Sequence, residues 1–129
     1  MKEPVWLERP FLLAVHERLL AEFGGKDGVR DENRLDSALE RPRQAYAYGD
    51  CSLFRLAASY ATAIVQGHPF VDGNKRTAFV AAVTFLEINR MSFSATEADT
   101  VLHTLGLAAS EISEADYACW LQTASKKTT

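Results

Sequence analysis

The chain has 129 residues, of which 47% are apolar and 24% charged, with a formal net charge of −3. That length suits one domain burying a core of its own, and the composition is that of an ordinary soluble globular protein. The mild acidity excludes a general attraction to nucleic acid or anionic membranes, while leaving room for a local basic site.

At the N-terminus, MKEPVWLERPF lacks the uninterrupted apolar core of a signal peptide, and no apolar run approaches the roughly 20 residues that span a bilayer. Cys51 and Cys119 have neither CxxC nor metal-ligand spacing. The expectation is a cytoplasmic protein with two reduced, structural cysteines. A first helix is predicted from about Pro10 to Phe23. Pro10 suits a first turn, Leu12, Val15, Leu19 and Phe23 line one face, and Gly24-Gly25 ends it. After the polar loop GGKDGVRDEN, a short second helix is predicted from about Glu32 to Glu40, stopped before Pro42.

The third helix, roughly Leu53 to Gln66, is mostly apolar and rich in alanine. The fourth, roughly Asn74 to Ile88, is apolar around nearly its whole circumference, as a central helix should be. Met91-Ser92-Phe93 reads as a short extended piece. Two amphipathic helices follow, with Thr96 and Ser113 as N-caps and Asp99 and Asp116 three residues on. The polar tail 125–129, SKKTT, is expected to be flexible. The pattern predicts an all-α fold, a compact bundle of about six helices around two central apolar ones.

Between those two apolar helices stands HPFVDGNKRTAF, His68 to Phe79. A helix's first turn has backbone N–H groups without intrahelical partners and carries partial positive charge. Gly73 allows a tight backbone there, and Lys75 and Arg76 add two full positive charges. Basic residues are unfavourable at this end unless an anion is near, so the arrangement points to an anion site. Each residue also has a structural reading. His68 can simply end the third helix, with Pro69 favouring an extended backbone for it, Asp72 can be the N-cap of the fourth helix, and Asn74 an ordinary early-helix residue. Phe70 is read as an anchor packed beneath the loop.

The string His68-Pro69-Phe70-Val71-Asp72-Gly73-Asn74-Lys75-Arg76 resembles the signature of the Fic/Doc family, on its death-on-curing (Doc) branch. GVRDENRLDSALERPRQA resembles the segment before the third helix in that branch, and EISEADYACWL its closing helix. The resemblance implies a single Fic/Doc-like helical domain over residues 1–129 that transfers part of a nucleotide to a protein hydroxyl. It implies a bacterial toxin, neutralised by an antitoxin chain whose C-terminal segment occupies a groove, and acting on elongation factor Tu or a similar translation factor. By the same resemblance His68 is the general base, Asp72 holds Mg²⁺ against the phosphates of ATP, and Asn74 and Arg76 bind phosphate beside the backbone N–H groups after Gly73. A near-neutral imidazole, a hard oxygen ligand and positioned charge are what phosphoryl transfer asks for.

Two departures bear on the reaction. The AMP-transferring pattern has glycine where this chain has Lys75, and a second arginine where it has Phe79. With lysine in that space and the second arginine absent, the triphosphate is expected to lie reversed, presenting its γ-phosphate to His68. The favoured expectation is therefore a kinase; the alternatives are an AMP transferase and a non-catalytic module that binds an anion or a partner. The pattern Ser/Thr-x-x-x-Glu-Gly/Asn of a self-inhibiting helix is missing, since Glu40 and Glu87 have the wrong neighbours. That agrees with a separate inhibitor chain.

Elsewhere, His16 and His103 have no partner at metal-binding spacing and read as surface or packing residues. Trp6 and Trp120 read as core or groove residues, and Arg55 and Gln66 face either the site or solvent. Arg30, Arg34 and Arg41 are candidates for docking the target if their segment borders the pocket.

Overall fold

Among the described residues, six helices and one short ribbon follow each other: α1 (Arg9–Phe23), α2 (Glu32–Ala47), α3 (Leu53–Gly67), α4 (Asn74–Ile88), β1 (Met91–Phe93), α5 (Glu97–Ala108), α6 (Glu114–Thr123) and β2 (Ser125–Lys127). The structure, a computed structural model, describes residues 2–129. The all-α expectation holds, with α3 and α4 as the central pair.

Helix α3 is buried without interruption from Leu56 to Thr62, and packs against α4, α2 and α6. Ala57, Ala58 and Ala61 carry so little side chain that the neighbouring helices can approach closely. Helix α4 buries Ala78, Ala81, Ala82, Phe85 and Leu86, while Phe79, Val80 and Val83 stay half-buried along its flank. The caps are those expected: Thr96 accepts from the Asp99 N–H, and Ser113 and Asp116 form a reciprocal capping box.

Two boundaries differ from the sequence reading. Helix α2 does not stop before Pro42 but runs on to Ala47, with Pro42 inside it. An interior proline costs about 3 kcal/mol in an isolated helix. Here Pro42 continues the buried stripe Leu35, Ala38 and Leu39 against α3, and burial of that stripe offsets the missing hydrogen bond. The tail expected to be flexible begins as a strand: Met91, Ser92 and Phe93 pair antiparallel with Lys127, Lys126 and Ser125. Both edges gain hydrogen bonds near the end of α4, and the Thr128 N–H donates to the Arg90 carbonyl.

The buried face of α1 also differs. Leu12 and His16 point inward, whereas Phe23 of the expected stripe is 52% exposed. Trp6 stacks on Phe85, and Trp120 stacks on His103, both partly buried against the core. Both cysteines are free and exposed. Among the described residues, no helix is long and apolar enough to cross a membrane.

Candidate active site

The loop from α3 to α4 is built on a left-handed residue. His68 sits at φ 51°, ψ 57° as the C-cap of α3, and its N–H donates to the Ile64 carbonyl. The extended backbone expected from Pro69 is not adopted. For a non-glycine residue the left-handed well costs about 1–2 kcal/mol, so contacts from outside the loop must hold it. They come from residues 28–31. The Pro69 carbonyl accepts from the N–H groups of Arg30 and Asp31, the Val71 N–H donates to the Gly28 carbonyl, and Val29 and Phe70 form an antiparallel bridge.

Phe70 is fully buried, as the anchor reading expects, and its ring lies flat on that of His16 at 3.8 Å between centroids. Asn74 closes the turn above it: its Oδ1 accepts from the Phe70 N–H and its Nδ2 donates to the Phe70 carbonyl. One amide hydrogen of Asn74 is left for any other partner.

Asp72 is not the N-cap of α4. That position belongs to Gly73 at φ 77°, with no side-chain cap on the first turn. The Asp72 carboxylate instead accepts from the Gly73 N–H at 2.9 Å and the Lys26 N–H at 3.3 Å. These two backbone donors, foremost that of Gly73, hold its pKa below the ordinary carboxylate value, with the charges of Lys26 and His16 adding to the effect. The Asp72 carbonyl lies 2.8 Å from Nε2 of His16. A Cβ on Gly25 would stand 3.1 Å from Oδ2 of Asp72 and 2.9 Å from Cδ2 of Leu20, so the turn after α1 needs glycine to close on the carboxylate.

Lys75 and Arg76 project from the uncapped turn, both exposed. Among the described residues neither forms an ion pair. The guanidinium of Arg76 lies over the Phe23 ring at 4.3 Å, which accounts for Phe23 standing outside the core. His68, Asp72, Gly73, Asn74, Lys75 and Arg76 all line one cavity of about 540 Å³. The rest of the lining is mostly apolar: Val71 and Phe79 from the same loop and helix, and Val101 and Leu105 of α5, with Thr100 and Thr104. A positively polarised helix end among apolar side chains suits an anionic ligand with a non-polar part.

Other residues fall elsewhere. Arg30, Arg34 and Arg41 do not line this cavity, which removes the premise for giving them the target. Arg34 and Arg41 line a second hollow between α2 and α3, where Arg41 pairs with Glu114 of α6. Arg30 donates from Nε to the His68 carbonyl and from Nη2 to that of Gly67. Arg55 pairs with Asp50, and Gln66 reaches the Leu107 carbonyl and Ser110. The residues missed from sequence are His16, Gly25 and Lys26, which support the loop from the far side. Only the polar interruption of an apolar face at His16 hinted at such a role.

A family model described as the Fic/DOC family matches residues 6–86. The chain is 36% identical over 104 residues to a protein named "Protein kinase doc" from Escherichia phage P1, covering 79% of this chain and 81% of that protein. It is 47% identical over 76 residues to a protein named "Toxin Doc" from Mycolicibacterium smegmatis, covering 57% of this chain and 58% of that protein.

Proposed function

The chain belongs to the Fic/DOC family, and from that premise we propose that it is a toxin kinase. It moves the γ-phosphate of ATP onto a hydroxyl, a threonine, of a translation factor such as elongation factor Tu, and so arrests translation. One observation carries the reading: a single cavity gathers an imidazole, an ionised carboxylate and an uncapped, doubly basic helix N-terminus. The names of the two relatives support both halves of it, toxin and kinase.

In this reaction His68 accepts the proton of the target hydroxyl as that oxygen bonds to the γ-phosphorus. The bond from the γ-phosphorus to its bridging oxygen breaks, and ADP leaves with that electron pair. The first-turn N–H groups of α4, with Lys75 and Arg76, offset the charge on the phosphates. The free amide hydrogen of Asn74 is available to them as well. Lys75, together with Phe79 in place of a second arginine, supports the orientation that turns the γ-phosphate toward His68.

Asp72 fits a magnesium site. Its carboxylate, with its pKa held low by the Gly73 and Lys26 N–H groups, lines the cavity with Asn74, Lys75 and Arg76, and Mg²⁺ is ordinarily held by one or two carboxylates plus substrate phosphates and water. Bound there, Mg²⁺ would neutralise phosphate charge. A separate antitoxin chain, with its C-terminal segment in a groove of the toxin, completes the proposal.

A growth assay tests it. Expression of the chain alone arrests growth, and His68→Ala relieves the arrest while its thermal unfolding matches that of the parent. Equal toxicity of the two would remove the general-base role.

A further inference from the structure

The αL backbone of His68 has no local cause. The residue is not glycine, and it precedes a proline, which biases it toward extended conformations. Left to itself the segment would favour an extended backbone and so a different direction for the imidazole. Much of what opposes that change comes from one residue of the preceding loop, with the Asp31 N–H sharing the Pro69 carbonyl. Arg30 donates from Nε to the His68 carbonyl at 2.8 Å and from Nη2 to the Gly67 carbonyl at 3.1 Å, and its backbone N–H donates to the Pro69 carbonyl at 2.7 Å. Three consecutive carbonyls, on both sides of the strained residue, are thus fixed by one side chain and its own backbone.

The chemistry of arginine suits this task. The planar guanidinium presents donors at a fixed angle, so it sets the direction of two carbonyls relative to each other, which a single-point ammonium does not. Its charge also sits at the C-terminal end of α3, where the helix dipole favours a cation. Among the described residues it forms no ion pair, so the fork is committed to these carbonyls. It does not border the cavity.

We propose that Arg30 is a positioning residue for catalysis: its guanidinium fork holds the backbone of His68 left-handed and thereby aims the imidazole at the phosphate site. The inference rests on the reading of His68 as general base. It assigns to the segment before α2 a role distinct from docking a target.

The test compares Arg30→Met, which keeps the stem and the backbone bond, with Arg30→Lys, which keeps the charge. The chain has three histidines, His16, His68 and His103, so their ring resonances can be followed singly by NMR, that of His68 being the one lost in His68→Ala. In Arg30→Met the His68 resonance shifts or splits while those of His16 and His103 stay in place. The kcat for phosphotransfer falls about tenfold and the KM for ATP stays within about twofold, as loss of a backbone bias of this kind predicts. Arg30→Lys recovers part of kcat. An unmoved His68 resonance, an unchanged kcat, or all three resonances moving together with a general loss of stability would each overturn the assignment. If the parent chain phosphorylates nothing, the kinase reading falls, while the NMR comparison still decides whether Arg30 holds His68.

Discussion

Nε2 of His16, buried in α1, lies 2.8 Å from the carbonyl oxygen of Asp72, 56 residues further along the chain. The same ring lies flat on Phe70. One side chain thus fixes both the anchor of the loop and the residue assigned to magnesium. Replacing His16 by Ala removes the stack, leaves a void, and strips the Asp72 carbonyl of its partner. The expected loss is about 2–3 kcal/mol of stability, from the cavity and the unpaired carbonyl together. Phosphotransfer should fall at least about tenfold at temperatures where the variant remains folded. His16→Gln, which still offers a donor, should recover more activity than His16→Ala. Denaturant unfolding with steady-state kinetics checks this; an Ala variant as active as the parent would contradict it.

How much of this was legible beforehand follows from where the contacts lie along the chain. The bounds of α4 and the cluster from His68 to Arg76 were readable because all their determinants sit within one short string. The length of α2 was not, because Pro42 is a stop signal locally and a core residue only once α3 is beside it. The backbone of His68 escapes the local sequence for a similar reason. Its neighbour Pro69 argues for an extended form, and the opposing bonds come from Arg30, 38 residues earlier. His16 interrupts an apolar face of α1, but α1 alone does not say what it meets. Local chemistry marks the basic first turn of α4, and tertiary contacts determine what supports it.

The turn after α1 offers an internally controlled test. Gly24 and Gly25 both have positive φ, 83° and 125°, but a Cβ on Gly24 meets nothing within 4 Å, whereas one on Gly25 meets Leu20 and the Asp72 carboxylate. Backbone strain affects both alanine variants, by about 1–3 kcal/mol each. Only Gly25→Ala should also raise the Mg²⁺ concentration needed for half-maximal phosphotransfer, by several-fold. A Mg²⁺ titration of the two variants reads the difference, and identical curves would break the link between this turn and Asp72.

Asp72 gives the pH dependence a definite sign. Its folded pKa is depressed by the N–H groups of Gly73 and Lys26, so its ionised form stabilises the folded state above its unfolded pKa, and that contribution is lost as pH falls through the folded value. The gap in melting temperature between the parent and Asp72→Asn should therefore be level from neutral pH down to about pH 5, then narrow as the solution passes below about pH 4. A gap that widened in acid would contradict the depressed value.

Lys75 distinguishes the two transfer reactions. Lys75→Gly removes a charge from the uncapped first turn of α4 and opens space beside the phosphate wall. Transfer of the γ-phosphate should weaken about tenfold, and AMP transfer should become detectable. Phosphotransfer unchanged from the parent would show that the lysine does not select the orientation of the nucleotide.

The most direct measurement of the central claim is the mass of a purified translation factor, elongation factor Tu, after incubation with the chain, ATP and Mg²⁺. A gain of about 80 Da on a threonine, lost with His68→Ala and obtained as label from γ-labelled but not α-labelled ATP, is the predicted result. A gain of about 329 Da with label from α-labelled ATP would contradict it, because the nucleotide would then lie the other way round against His68.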